Sequence, residues 1–268
     1  MNTLLEILRD HFQYREQVFK LAKSDIIKTY RGAALGWAWA IIKPATTIFV
    51  FWFAFSVGVR KGEPVDGHPF LLWLIAGYIP WFYMRDCLSQ GAGALRKYKY
   101  LVKRIKYPVD TIPTFVSLSF LIVNLGLQLV MVAIYCGMGY YPTIYYLQLP
   151  IIVFGMFFFF TAWSLFAGML AGMSNDFLNL VKAITPALFW LSGIIYDANK
   201  INIGWIKQIL LFNPVTILCN GYRDTLIYEH WIWERPEQIR NFLIVTVIMV
   251  LMSLWSYWKL KKEVPDVI

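Results

Sequence analysis

Charge is scarce in this chain. Asp, Glu, Lys and Arg make up 15% of its 268 residues, while 59% are hydrophobic. Soluble domains carry about 25% charged and roughly 45–50% apolar residues. The composition therefore excludes a large soluble core and fits an integral membrane protein. Acids are the rarer sign, 16 against 25 Lys and Arg. They are almost missing from the apolar segments, so a carboxylate relay for protons or sodium has no obvious members. Cysteine is limited to Cys87, Cys136 and Cys219, with no CxxC pair, which argues against a disulfide framework or a metal site. His11, His68 and His230 are far apart and have no ligand neighbour at a familiar spacing. A phosphate-cradling G-x-x-x-x-G-K-[ST] loop is missing too. The nearest stretch, GAGALRK from Gly91, has Arg96 where the second glycine is needed, so ATP cannot bind by that route. No HExxH, G-x-S-x-G or paired-carboxylate segment occurs. The first thirty residues are charge-rich and lack the apolar core and cleavage site of a signal peptide.

What is present is a series of apolar segments, each near the roughly 20 residues that cross a bilayer as a helix. Spans are expected over 33–59, 69–89, 109–138, 150–173, 180–195 and 242–258. Pro44 invites a kink in the first, and Lys43 beside it can snorkel toward headgroups. Pro186 interrupts the fifth, which is short for a full crossing. Basic residues collect before the first span (Arg9, Arg15, Lys20, Lys23, Lys28, Arg31), in the 90–108 connection and in the tail KLKKE. The 60–68 connection balances Arg60 and Lys61 against Glu63 and Asp66. Connection 139–149 carries no charge, and 196–238 holds four bases and five acids. The positive-inside rule then puts both termini and the 90–108 loop in the cytoplasm. The net charge of +9 reads as loops near anionic lipid rather than as a nucleic-acid surface.

Two further segments are neither span nor plain loop. In residues 1–32, Leu4, Leu8 and Phe12 repeat at i+4, as do Val18, Ala22 and Ile26. That suits an amphipathic helix in the membrane interface, or a helical cap packed on the protein. The stretch INIGWIKQILLFNPVTILCNGY in 196–238 is too apolar for solvent and is broken at Asn213-Pro214. Two short helices re-entering the outer leaflet fit it, since such backbone is tolerated when packed against protein. A seventh span would place the C-terminal lysines outside. The fold class expected is thus an all-α integral membrane protein. It has six transmembrane helices, an N-terminal interface helix, a cytoplasmic helix at 95–107 and outer re-entrant helices.

That cytoplasmic stretch, LRKYKYLVKRIKYP, carries six bases among three tyrosines and no acid. On a helix, Tyr98, Leu101, Val102 and Ile105 fall on one apolar face. Arg96, Lys99, Lys103 and Lys106 form a stripe beside it, and Pro108 ends it. It is too short for a nucleic-acid module. It either lies on anionic lipid or inserts into a cleft on a cytoplasmic partner. Aromatics are 18% of the chain: Trp37 and Trp39 start the first span, Tyr78 and Trp81 sit in the second, and Trp205 lies in the outer segment. They form interfacial belts, and a subset is free to line a sugar path. Gly32–Gly36 and Gly168–Gly172 match G-x-x-x-G, best read as close packing within one subunit.

The segment SDIIKTYRGAALGWAWAIIKPATTIFVFWFAFSVGV, Ser24 to Val59, resembles the membrane subunits of type-2 ABC exporters for cell-surface polysaccharides. The shared pattern is an acid (Asp25), a basic-Tyr-basic patch (Lys28, Tyr30, Arg31), a Leu-Gly-x-x-Trp core (Leu35, Gly36, Trp39) and an early proline (Pro44). LVKRIKYP and NPVTILCNGYRD match as well, and the similarity covers essentially the whole chain. Among O-antigen, capsule and wall teichoic acid exporters, the chain looks most like the teichoic acid branch.

The resemblance implies a homodimer in the bacterial cytoplasmic membrane, working with two separate ATPase subunits that bind ATP and Mg. No cofactor is implied in this chain, nor a nucleic-acid partner. It implies a coupling helix in which Tyr98, Lys99, Leu101, Val102, Lys103, Arg104 and Ile105 meet the ATPase. A smaller contact falls at SNDFLNLVK with Asp176, although Asn175 stands where the family has arginine. The substrate is a lipid-linked polysaccharide. Lys28, Tyr30, Arg31, Trp37, Trp39 and Lys43 are the candidates for the lipid headgroup or the substrate path. For those bases, orientation in the membrane alone is the competing explanation. A membrane-embedded transferase for lipid-linked sugars would need clustered acids or histidines on one membrane face, and none is seen. A passive channel or scaffold would need no energy source.

Overall fold

The computed structural model describes residues 3–32, 34–59, 61–105, 107–201 and 203–268; Ala33, Arg60 and Lys106, used above, lie outside them. Lipid offers no partner for backbone N–H and C=O groups, so long apolar segments satisfy them internally as helix. Two helices come first, α1 (Thr3–Gln13) and α2 (Arg15–Tyr30). α3 (Trp39–Phe53) runs on as a π-helical turn to Val59, and α4 (Phe70–Asp86) as another to Gly91. The basic stretch holds α5 (Ala94–Lys97) and α6 (Lys99–Ile105). α7 (Thr111–Gly137), α8 (Leu149–Met173) and α9 (Asn175–Leu191) follow. Short helices α10 (Gly204–Leu211) and α11 (Pro214–Arg223) lead to α12 (Pro236–Leu260) and α13 (Val264–Val267).

Among the described residues, four stretches, Gly36–Val59, Thr111–Gly137, Ile144–Met173 and Pro236–Leu260, are long and apolar enough to cross a membrane. α4 and α9 have 17 residues each. α4 is the hub: it is buried on every side from Leu72 to Met84 and packs against α3, α7 and α11. A helix apolar all round belongs inside a bundle. By contrast, across Gly36–Val59 only Ile48 is buried. The first long helix therefore hangs on one side of the bundle with most of its surface uncovered.

Several boundaries differ from the sequence expectation; the last span, expected from 242, opens already at Pro236. The fifth helix does not run over 180–195; it starts at Asn175, directly after Ser174, whose Oγ accepts the Phe177 N–H at 3.3 Å. That N-cap turns SNDFLNLVK into helix rather than loop, and Pro186 is accommodated inside it. Gly193, at φ +65°, then reverses the chain after Leu191, a conformation glycine adopts without strain. The helix expected at 95–107 is two helices, because Tyr98 leaves helical geometry and turns its ring inward. The N-terminal helix expected over 1–32 also breaks, at Tyr14, whose ring meets Tyr107 edge-on at 5.4 Å.

The two N-terminal helices have different roles. α1 has no buried residue and presents Leu4, Leu5, Leu8 and Phe12 outward, with Phe12 73% exposed. α2 buries Val18, Ala22 and Ile26 and packs on α7. The cap expected as one alternative is formed by α2, while α1 keeps an exposed apolar face. Lys261 closes on Glu6 at 2.5 Å and ties α1 to the end of α12. α1, α2, α5, α6 and α13 consequently gather at one end of the bundle, its basic end. There Gly168 and Gly172 let α8 approach Leu95 and Val264. Gly32 (φ +87°) and Gly36 (φ +46°) belong to the turn between α2 and α3 and form no helical ridge.

Candidate functional site

At the basic end a cavity of about 430 Å³ opens between α2, α3, α4 and α7. Tyr30 and Trp39 stand in its wall where α2 gives way to α3. Lys43, one turn further on, reaches over the Trp39 ring, 5.7 Å from its centre. The end of α4 contributes Arg85 and Asp86. Arg85 donates twice to one Asp86 oxygen, at 3.1 and 2.9 Å, and Gln90 donates to the same oxygen at 3.2 Å. α7 supplies Ser119 and Asn124, the latter donating to the Ile79 carbonyl at 2.7 Å. With Arg85 committed to Asp86, Lys43 is the lining cation not held by a carboxylate among the described residues.

A second cavity of about 280 Å³ continues along α3 and shares Pro44 and Leu127 with the first. Its other walls, including Ile41, Ile48, Trp52, Ile79 and Met131, are apolar. The two together form one slot, polar at the basic end and greasy along the helix.

Asp25 closes the polar end. It comes from α2, is 2% exposed, and uses both carboxylate oxygens. One accepts Lys97 Nζ at 2.7 Å and the Tyr98 hydroxyl; the other accepts Ser119 Oγ at 2.6 Å. Burial alone would raise its pKa. The hydrogen bonds from Lys97, Ser119 and Tyr98 outweigh it and hold the carboxyl below the usual carboxylate range. Burial and the neighbouring Asp25 push the Tyr98 hydroxyl the other way, so it stays protonated and donates.

The family described as ABC-2 type transporter matches residues 16–227. This chain belongs to that family. Over 92% of its length it is similar to the O-antigen export system permease protein RfbA of Myxococcus xanthus, 24% identical and covering 93% of that protein. The RfbA of Klebsiella pneumoniae is 21% identical, over 92% of this chain and 93% of that protein. The chain is a multi-pass transmembrane subunit of an ABC-2 transporter, a permease whose family works with a separate ATP-binding subunit.

In this permease the residues singled out from sequence divide sharply. Tyr30, Trp39 and Lys43 line the cavity. Trp37 is exposed but stacks on Tyr30 with ring centres 5.1 Å apart. Lys28 and Arg31 are exposed at the end of α2 and do not line it. In the basic stretch, Tyr98, Leu101 and Val102 are buried, Tyr98 to 4% exposure, in a core shared with Val18, Ala22 and Phe115. The apolar face expected to seat in a partner is taken by this chain's own core, which joins residues of α2, α7, α8 and α13. What remains outward is Lys99, Tyr100, Lys103, Arg104 and Ile105, the last 61% exposed. Asp176 is exposed in the first turn of α9.

Several working residues escaped the sequence reading. Arg96, expected in the basic stripe, turns instead onto α8 and donates to the Ala171 and Gly172 carbonyls at 2.5 and 3.0 Å, closing that helix end. Lys97 and Ser119 hold Asp25 across gaps of 72 and 94 residues, which no local pattern reports. Arg223 had a signal. A guanidinium at the end of the apolar run NPVTILCNGY calls for an internal partner. It is fully buried, donates to the Gly193 and Ile194 carbonyls, and lies 3.4 Å over the Trp73 ring.

Proposed function

We propose that this permease is the membrane half of an ATP-driven exporter. It moves a lipid-linked cell-surface polymer from the inner to the outer face of a bacterial cytoplasmic membrane. The observation that carries this reading is the two-part slot. Its polar end suits the phosphate head of a carrier lipid, met by Lys43, with Lys28 and Arg31 at the approach. Its apolar groove suits the hydrocarbon chain, and Tyr30, Trp37 and Trp39 offer ring faces to the first sugars. Six crossings are formed by α3, α4, α7, α8, α9 and α12, with both termini in the cytoplasm.

The permease works as a homodimer with two ATPase subunits, which bind ATP and Mg. The uncovered surface of α3, with Phe49 and Phe53, and the exposed Trp190 and Leu191 of α9 support a second copy on that side. The ATPase docks on Lys99, Lys103, Arg104 and Ile105, with Asp176 as a smaller contact. Two polymers compete. The sequence resemblance favours wall teichoic acid, and the names of the relatives favour O-antigen. Proteoliposomes holding permease and ATPase decide between them when loaded with either defined lipid-linked polymer. ATP-dependent movement of one polymer is expected; movement of neither rejects the proposal.

A further inference from the structure

We propose that Asp25 is the joint through which the exposed α6 surface moves the wall of the cavity, acting as a positioning residue for transport. The inference rests on the exporter reading above. Asp25 belongs to α2, yet three of its partners come from elsewhere: Lys97 ends α5, Tyr98 separates α5 from α6, and Ser119 lies in α7. Both carboxylate oxygens are occupied, and the residue is only 2% exposed. A displacement of the α5–α6 segment then has two outcomes. Asp25 follows it, or a buried carboxylate loses its partners. The second is costly, because an unpaired buried charge has no water to replace what it lost. The joint is therefore stiff.

Its two sides have different exposures. On one side, Lys99, Lys103, Arg104 and Ile105 follow Tyr98 directly and form an outward surface. Tyr98 has left helical geometry, so α6 is able to tilt about it without unwinding α5. On the other side, Asp25 and Ser119 are themselves cavity wall, and Thr29 and Tyr30 lie on the next turn of the same helix. Thr29 Oγ donates back to the Asp25 carbonyl at 2.9 Å, which keeps that turn with the carboxylate. Beyond Tyr30 the chain passes Gly32 at φ +87° and enters α3, the least buried long helix. A push on α6 thus reaches α2, and α2 sets the gap to α3 at the polar end of the slot. A passive clamp would use the same bonds, but it would behave alike whether or not ATP is bound.

The test uses the complete permease–ATPase complex in lipid nanodiscs and proteoliposomes. Hydrogen exchange across residues 25–30 is read with and without a non-hydrolysable ATP analogue, beside ATPase and export rates. The variants are Lys97→Met and Tyr98→Phe; neither residue lines the cavity. Tyr98→Phe removes one hydroxyl, so it remains informative if Lys97→Met assembles poorly. In the wild type, nucleotide is expected to change exchange at 25–30. In the variants that change is expected to vanish, and polymer exported per ATP to fall roughly tenfold, within the usual range of coupling between sites. Basal ATPase is expected to hold. Exchange raised equally in both nucleotide states would mean a passive clamp and overturn the joint. So would variants that export normally. A wild-type complex without ATP-dependent export would instead overturn the exporter reading, and the joint with it.

Discussion

Replacing Arg223 with methionine tests how the α10–α11 segment is held against α4 and α9. The guanidinium is 2% exposed. It donates to the Gly193 carbonyl at 2.9 Å and to the Ile194 carbonyl at 2.6 Å, just beyond α9. Methionine strands those two carbonyls, at about 1–3 kcal/mol each. It also removes the contact with Trp73, about 2 kcal/mol for a desolvated cation on a ring. Against this, a charge no longer has to be buried, a relief of several kcal/mol. The stranded carbonyls have no water to turn to, so a net loss of about 2–4 kcal/mol remains. At about 2–4 °C per kcal/mol for a chain somewhat under this length, the melting temperature falls by roughly 4–16 °C. Gly77 supplies the control. A Cβ there would sit 2.7 Å from Arg223 Nη2 and 3.2 Å from the Ile194 carbonyl. Gly77→Ala is expected to cost about 1–3 kcal/mol alone, and less beside Arg223→Met, where the worse clash is gone. Thermal unfolding in detergent, followed by tryptophan fluorescence, measures the full cycle. An Arg223→Met protein that melts with the wild type would refute the account of this anchor. So would a Gly77→Ala cost that is the same in both backgrounds.

Other outcomes follow from the same geometry. Gly91 lies where α4 meets α8, and a Cβ there would fall 2.2 Å from Ser164 Oγ and 3.0 Å from its Cβ. Gly91→Ala is expected to destabilise by about 1–3 kcal/mol, with partial recovery in Gly91→Ala/Ser164→Gly, read by the same melting assay. At the basic end, His11 Nδ1 faces the Ile7 carbonyl at 2.8 Å and Asp110 at 3.3 Å, while Nε2 meets Thr114 at 2.7 Å. Burial opposes its charge, but Asp110, the Ile7 carbonyl and Asp10 prevail and raise its pKa above 6.5. A raised folded pKa means the stabilisation is complete below 6.5 and fades as pH climbs through the folded value. Hydrogen exchange in α1, corrected for intrinsic rate, is expected to speed up over that climb. His11→Gln is expected to abolish the pH dependence; a dependence that survives would reject His11 as its source.

The apolar lengths and the proline and glycine punctuation were legible in the sequence, because lipid leaves helix as the one solution for such segments. Asn213-Pro214 is an example: Asn213 Oδ1 accepts the Val215 N–H at 2.9 Å and Pro214 opens α11. Tyr30 and Trp39 stood in the family pattern and Lys43 was read as a snorkelling base beside Pro44; the structure places all three in the wall of one cavity. The direction of the 95–107 face was not. Helical periodicity identifies an apolar stripe at Leu101 and Val102 but says nothing of which neighbour covers it. Here a core drawn from α2, α7, α8 and α13 does, beside a buried carboxylate 72 residues from its lysine. Ser174 was missed for a related reason: one capping side chain converts a polar connection into the first turn of α9.

The central claim is that the slot receives the head and chain of a lipid-linked polymer and that ATP drives it across. The most direct measurement is ATPase activity of the reconstituted complex, titrated with defined lipid-linked O-antigen and lipid-linked teichoic acid, for wild type and Lys43→Glu. Stimulation of the wild type by one of the two, lost in Lys43→Glu, is the result expected. Stimulation by neither polymer, or stimulation indifferent to the charge at Lys43, would contradict it.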